Sequence, residues 1–456
     1  MSKKRANFSF PAWVRQREIR RRFSLGYSDV FYKSLYSSIS TCHSRGEGEH
    51  SRSEHGGLFS LEFCPDGSLL VAGCEKSSFL VFDPLSRKLI RTVHNAHAGC
   101  VTTVKFLDSR IFATASVDQT VSLWDARNLK SQIRTLRGHS GPIGNIEYSR
   151  KNDLLITSGV DGFISWDMKN CVQSEEFCKK IFQSYMLLRL RLNPEESKMI
   201  ISTARGYLMI VHELDLCTLA QDLDQFELEM FGFAYLHETS TLRHKGSRFL
   251  SPNRRRNRLE IVADFPGADG SNVVSALEIH PQGRSAISRS TSKASGMEWT
   301  CVHDIQEEEL SEGGNNPGSS QVLDPHSFSS SVSTSFISSD SSGQLFDRSV
   351  NKRFPRLTHY IEEPVASDWY VDSVSVSADG RLICSLFDFG IRLLSFSPEC
   401  VEQSVSSRGT ELNRLHVLSM NNSHSDIVLC TKFSPRHCFL VTGCYGGKIV
   451  WYQPVV

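Results

Sequence analysis

Aromatic–acid dipeptides recur along the first part of the chain at a fixed interval. Phe82-Asp83, Trp124-Asp125 and Trp166-Asp167 stand 42 residues apart, and a histidine precedes each by 27 residues, at His55, His97 and His139. A last pair, Trp451-Tyr452, again has a histidine, His424, 27 residues upstream. Weaker copies fall at His212-Glu213, His303-Asp304 and Phe396-Ser397, which makes seven units. A period of this length marks a repeat architecture, in which each unit buries its apolar face only by stacking on its neighbours.

The texture inside a unit is that of β-sheet. Val101-Thr102-Thr103-Val104-Lys105-Phe106 alternates, a turn follows (Asp108-Ser109; elsewhere Pro65-Asp66-Gly67 and Ala378-Asp379-Gly380), then come strands at Ile111 to Ser116 and Thr120 to Trp124. Period-2 alternation with Asp and Gly punctuation predicts one four-stranded antiparallel blade per repeat. The expected fold is all-β, a seven-bladed propeller over residues 51–456 behind a helical arm at 1–50. The chain stops four residues after Tyr452, so the last blade needs an outer strand from elsewhere, since open sheet edges are avoided. The N-terminal stretch from Tyr27 to His55 is the candidate. Asp29 to Ile39 also reads as a helix, with Phe31, Leu35 and Ile39 on one face behind Ser28 as a cap. Pro11 to Phe23 reads as another, and the sequence leaves open which part of 27–55 pairs.

The histidines and aspartates have a mechanical reading. His97 precedes an inner strand, Asp118 sits in the turn before Trp124, and Ser116 and Trp124 stand on adjacent strands. A carboxylate accepting from the imidazole, which in turn reaches a hydroxyl and the indole nitrogen, satisfies groups that would be costly to bury alone. His139, Asp161, Ser158 and Trp166 repeat the set, so these residues are expected to be structural and not catalytic.

Charge restricts the function classes. With 51 Lys plus Arg against 50 Asp plus Glu, the net charge of +1 argues against a globally basic nucleic-acid binder. The sum hides local bias: residues 1–22 carry eight cations and one acid, Glu18. Arg243 to Arg258 holds seven Lys or Arg and no acid, and Gln306 to Asp347 holds seven acids, no Lys or Arg and thirteen serines. Such segments bury too little apolar surface to offset their ordering entropy, so disordered insertions are expected at about 217–272 and 306–355. Thirteen scattered cysteines without a Cys-x-x-Cys pair read as reduced thiols of a nuclear or cytoplasmic protein. No apolar run approaches the ~18 residues of a membrane span, so a soluble chain is expected. Gly443-Cys-Tyr-Gly-Gly-Lys448 imitates a phosphate loop but has Thr442 before it and Ile449 after the lysine, which makes it a hairpin turn. No catalytic residue, cofactor or metal is expected.

One segment is richer. Phe112 to Arg127 forms a sixteen-residue box ending Trp124-Asp125-Ala126-Arg127, and the third unit ends Trp166-Asp167-Met168-Lys169. The plain physical reading is that Arg127 pairs with Asp125 and emerges into solvent. The box also resembles the docking box of WD-repeat substrate receptors of cullin-4 ubiquitin ligases. Lys198 to Leu208, Glu298 to Val302, Arg356 to Glu363, Gly390 to Leu394 and Lys432 to Pro435 extend the similarity across most of 10–456. The resemblance implies that Arg127, beside Asp125, lies on the face that meets the adaptor, damaged-DNA-binding protein one. Lys169 is the counterpart in a second box, with a point charge in place of a planar guanidinium. It further implies that an N-terminal helix-loop-helix within Phe8 to Ile39 enters an adaptor cleft through Phe10, Trp13 and Val14. An amphipathic element with a large apolar anchor is what helix-in-groove recognition uses. The function implied is a non-catalytic receptor joining unknown protein targets to cullin-4 and a RING subunit. The alternatives are a WD scaffold in RNA processing, chromatin or trafficking, its basic arm serving nuclear import or phosphate contacts, and an enzyme built on a propeller, which lacks a catalytic constellation. Capture with the adaptor separates the first two, and fold alone names no target.

Overall fold

The computed structural model of the chain describes residues 27–45, 53–169, 178–182, 187–203, 208–222, 248–249, 256–262, 271–291, 297–306, 356–364, 373–400 and 412–455. The repeats fold as seven sheets arranged as propeller blades, antiparallel except where the short strand Asn413–Arg414 adds in parallel to the outer edge of blade 5. Blade 2 shows the plan: Val101–Phe106 is innermost, followed outward by Ile111–Ser116, Thr120–Asp125 and Arg134–Arg137. The inner strands of the other blades, in order, are Leu58–Phe63, Ile143–Ser149, Leu187–Leu192, Ser271–His280, Val374–Val376 and Val428–Phe433. The weaker copies were placed correctly: His212 and His303-Asp304 end the third strands of blades 4 and 5, and Phe396 follows that of blade 6.

Because each sheet packs both its faces against neighbouring blades, the apolar core lies between blades and not at one centre. Seven clusters fill the seven gaps among the described residues. Between blades 1 and 2, Phe79 packs edge-on to Phe112 at 5.5 Å and to Trp124 at 5.0 Å. All three side chains are at most 4% exposed, and burying each is worth roughly 2–3 kcal/mol.

The axis is lined differently. Glu62, Lys105, Glu147, Arg191, Glu278 and Lys432 take equivalent places on six inner strands, and their charges alternate around the ring. Lys432 lies 3.0 Å from Glu62 and 3.8 Å from Glu278, Arg191 2.8 Å from Glu147 and 3.8 Å from Glu278, and Lys105 3.0 Å from Glu147. Seven positions cannot alternate in sign all the way round, and in blade 6 the uncharged Ser375 takes the odd place, its hydroxyl 3.3 Å from Thr431. Burial drives the Glu278 carboxyl up, but Lys432 and Arg191 outweigh it and hold its pKa below the ordinary value. Desolvated charges persist where, as here, each has an opposite neighbour.

The chain closes the ring with its N-terminal part. Ile39–Arg45 pairs antiparallel with Ile449–Pro454, from Ile39 opposite Pro454 to Arg45 opposite Ile449, with a bulge between Thr41 and His43. The propeller therefore begins at residue 39, inside the stretch assigned to the arm. Before it runs helix α1 (Tyr27–Ser37), whose inward residues Tyr32, Leu35 and Tyr36 follow i, i+3, i+4 spacing. Ile39, expected on that helix, is instead the first residue of the strand: the helix ends as Ser38 donates its N–H to the Leu35 carbonyl. The span 217–272 also needs correction. Leu219 and Ala220 are buried in a helical turn at 219–222, and Arg258–Val262 is the fourth strand of blade 4, paired along Leu208–His212. A composition window dominated by arginines hid the alternation of Leu259, Glu260 and Ile261. Most of 223–270 and nearly all of 306–355 lie outside the described residues.

Candidate protein-docking site

In blade 2 the polar network forms as a closed relay. Asp118 accepts from His97 Nδ1 at 3.1 Å, from the Ala98 N–H at 2.8 Å and from the Thr120 hydroxyl at 2.7 Å. His97 Nε2 lies 2.8 Å from Thr114 Oγ1, which also accepts the Trp124 indole N–H at 2.9 Å. Burial lowers the His97 pKa, and the neighbouring Asp118 only partly restores it, so the ring is neutral at physiological pH. Blade 3 repeats the set: His139 to Asp161 at 2.6 Å, His139 to Thr157 at 2.7 Å and Trp166 to Thr157 at 2.8 Å.

The hydroxyls are therefore Thr114 and Thr157, not Ser116 and Ser158 as the sequence reading had it. Ser116 instead accepts the Asp118 N–H at 3.1 Å, and Ser158 Oγ has no hydrogen-bond partner. Ser116 shares the face of Thr114 but lies two residues nearer the turn, and for Ser158 the reason is parity. Trp124 stands opposite Phe112 and Trp166 opposite Leu155, so residues on the indole's face of the second strand are 112, 114 and 116 in blade 2 but 155, 157 and 159 in blade 3. The hairpin of blade 3 is one residue shorter, and a count of eight back from the Trp lands on the opposite face. Blade 7 shows the same effect. Thr442 contacts His424 at 2.6 Å, and the residue facing blade 6 from the third strand is Tyr452, while Trp451 packs towards blade 1.

At the far end of the third strand the chain leaves the network and reaches the surface. The turns joining first to second strands and the links joining third to fourth strands share one end of the propeller, called here the lower end. Asp125 closes the Trp124 strand there. Its Oδ2 accepts from Arg110 Nε at 2.9 Å and Nη2 at 2.6 Å, while Oδ1 accepts the Arg127 backbone N–H at 3.0 Å. The Arg110 guanidinium, then the Arg127 N–H, hold the Asp125 carboxyl at a pKa of about 2. With that carboxylate engaged, the Arg127 side chain keeps only a 3.6 Å approach to it and is 67% exposed.

The same Asx turn recurs in the flanking blades. The Leu85 N–H donates to Asp83 at 3.0 Å and the Lys169 N–H to Asp167 at 2.9 Å. Residues 85, 127 and 169 are thus one position repeated at the 42-residue period, carrying an isobutyl group, a guanidinium and an ammonium. Leu85 is 69% exposed and Lys169 is exposed as well. Leu85 and Arg110 escaped the sequence reading. Extending the period one blade upstream would have found the first, whereas the second needs the fold, since fifteen residues separate it from Asp125.

Helix α1 sits at the same lower end, on the first turns of blades 6 and 7. The Tyr36 hydroxyl donates to Asp379, and the Arg381 guanidinium lies 4.2 Å from the Tyr32 ring centroid while donating to the Cys400 carbonyl at 2.5 Å. Phe10, Trp13 and Val14 lie outside the described residues. The site consists of side chains suited to gripping a protein surface: an exposed planar donor, an ammonium and an apolar contact on rigid turns.

Known proteins bear on this arrangement. The family described as WD domain, G-beta repeat matches residues 46–83, 87–125, 130–166 and 413–453. The β-propeller domain of Cps50 (Swd1) from Myceliophteria thermophila superposes with a TM-score of 0.55 over 92% of this chain and 100% of that one, at 12% identity, which speaks to fold alone. DDB1- and CUL4-associated factor 10 of Xenopus tropicalis is 35% identical, with 97% of this chain and 94% of that protein covered. The Danio rerio protein of that name is 36% identical over 97% and 83%, and the Homo sapiens one 34% identical over 97% and 77%. Similarity of this extent, running through all seven blades, makes the chain a member of the DDB1- and CUL4-associated factor 10 family.

Proposed function

We propose that the chain is a non-catalytic substrate receptor that joins target proteins to a cullin-4 RING ubiquitin ligase through damaged-DNA-binding protein one (DDB1). The observation that carries the reading is Arg127: an arginine three residues past a buried Trp, held to its own Asp only at 3.6 Å while Arg110 takes the shorter contact at 2.6 Å, and left 67% exposed on a rigid turn. The names of the relatives, DDB1- and CUL4-associated factor 10, support the identity of the partner. In this role the propeller performs no bond chemistry. It raises the concentration of a bound target near a ligase whose transfer chemistry resides on other subunits.

The test is capture of purified DDB1 with circular dichroism as the folding control. Arg127→Ala should weaken capture about thirtyfold, the ordinary cost of truncating an interfacial arginine anchor. Arg127→Lys should fall between, keeping charge but losing the fork. Leu85→Asp, a separate prediction, should weaken capture about tenfold by placing an unpaired charge where an apolar contact is needed. Unchanged capture by Arg127→Ala would remove this residue from the interface. Ubiquitin-remnant profiling with and without the chain would then identify targets.

A further inference from the structure

The lower end holds an apolar recess for which the docking residues give no use. Its walls are Tyr36 and Ile39 from α1 and the closing strand, Ala378 from the first turn of blade 6, and Phe433, Pro435 and Phe439 from the first turn of blade 7. The cavity measures about 180 Å³. Apolar cavities of about 150 Å³ bind benzene, so it has room for one aromatic group and little more. Phe433 and Phe439 are only half-buried, and the rim residues Arg436, His437 and Cys438 are exposed. Among the polar residues that line this space is a carboxylate, Asp379, which accepts from Tyr36, from Ser377 at 2.6 Å and from the Arg381 N–H at 3.3 Å; its two oxygens offer about four acceptor sites, so one more donor can be taken.

We propose that this recess seats the chain's own Trp13 while no adaptor is bound. The part of the chain outside the described residues ends at Tyr27, the first residue of α1, and α1 is also the element whose last turn walls the recess. The eleven residues of α1 put its two ends roughly 16 Å apart. From Tyr27 back to Trp13 is fourteen residues, which span roughly 48 Å extended and about 21 Å even as a helix, so Trp13 returns to the recess along either path. Phe23, four residues from Tyr27, has at most about 14 Å of backbone and would need it fully extended along the helix to bring its ring to the recess. Phe8 and Phe10 also reach, but only an indole combines a ring of this size with an N–H for the Asp379 carboxylate.

The consequence rests on the adaptor reading: Trp13 is one of the residues assigned to the adaptor cleft, so the recess and the adaptor compete for one side chain. A receptor whose anchor is stowed nine-tenths of the time binds about tenfold more weakly than one whose anchor is free.

The experiment places the photo-crosslinker p-benzoylphenylalanine at the exposed rim position 436 of the full chain, with the same probe at position 117, in an exposed turn at the opposite end of the propeller, as control, and maps adducts by mass spectrometry. Without DDB1, the expected adducts from position 436 fall on Trp13, and position 117 gives none there. Ala378→Trp, which fills the recess from an exposed turn, should abolish them at an unchanged melting temperature and tighten DDB1 capture about tenfold. Cys438→Trp fills it from the opposite rim should the first variant misfold. Adducts elsewhere, or none, overturn the assignment. Loss of the adducts on adding DDB1 supports the competition, and their persistence in the isolated DDB1 complex refutes it. Recess adducts in a chain that captures no DDB1 would leave Trp13 seated and sink the adaptor reading instead.

Discussion

Thr114 serves two buried ring nitrogens at once, its hydroxyl donating to His97 Nε2 and accepting from Trp124 Nε1, and is itself wholly buried. Thr114→Val keeps the shape and removes the hydroxyl, which orphans both ring nitrogens at roughly 1–3 kcal/mol each. We expect its melting temperature to fall by several degrees, Ser116→Ala to have a smaller effect, and Ser158→Ala to have almost none, since Ser158 Oγ bonds nothing. A Ser158→Ala loss matching that of Thr114→Val in thermal melting would contradict the relay. His97 and Trp124 were legible in the sequence because they keep their spacing of 27 residues through both full repeats, and Asp118 because its counterpart Asp161 shifts by only one residue within the same turn. The hydroxyl was not, because in blade 2 the residue chosen, Ser116, has the right face but lies two residues nearer the turn, and in blade 3 a one-residue change in the hairpin inverts the face. Arg127 was legible by its place after Trp-Asp. That it is free to bind was not, because Arg110 reaches Asp125 from another strand's turn.

At the level of elements, closure depends on a strand far from its partner in sequence. Ile39–Arg45 supplies the outer edge of blade 7, and Tyr36 and Ile39 are buried against blades 6 and 7. Deleting residues 1–26 should therefore leave a cooperative unfolding transition within a few degrees of the parent. Deleting residues 1–45 should expose the whole Ile449–Pro454 edge and give a chain that melts markedly lower and aggregates. Thermal melting with light scattering decides it; equal melting of the two truncations would mean that the closing strand contributes nothing. The need for such a strand could be read from the incomplete last repeat, but its position could not. Tyr27 to Arg45 contains both helical and alternating patterns, and the switch between Ser37 and Ile39 is set by what each face meets: the helix packs Tyr32, Leu35 and Tyr36 onto the blades, while the strand finds an unpaired edge. The turn under the helix has little freedom as well. Gly380 has φ +69°, and a Cβ there would lie 2.7 Å from the His280 ring, whose Nε2 is 2.6 Å from the Gly380 carbonyl.

For the molecule as a whole, burial of titratable groups sets the acid limit of the fold. Burial, before any other influence, lowers the pKa of His280 and His359 to about 4 and that of His424 to about 3. Arg284 adds to this at the first two, which both pack edge-on against Phe396. In the unfolded chain each takes up a proton near pH 6.5. Between about pH 6.5 and 4 the unfolded state therefore binds more protons, and stability falls as the pH drops, on the order of 1–2 kcal/mol per histidine by pH 5. The carboxylates act lower. Glu278 in the axial ring and Glu260 are held below their ordinary values, Glu260 at about 2 where the pull of His212 and Arg356 exceeds the effect of burial. Their contribution is present above the ordinary carboxylate pKa and is lost as the pH falls through the folded one. The expected profile of melting temperature against pH thus has two descents, the first already under way at pH 6, where Glu278 and Glu260 remain ionised. His424→Gln, which removes one of the three groups, should flatten the first descent and leave the second in place. A melting temperature constant from pH 7 to pH 5 would mean that these imidazoles are charged in the folded state, and the inter-blade packing around Phe396 would then need a different account. The axial ring itself was beyond sequence reading: an alternating strand with one charge in it looks half-solvated, and only the convergence of the inner strands turns that face into an interior.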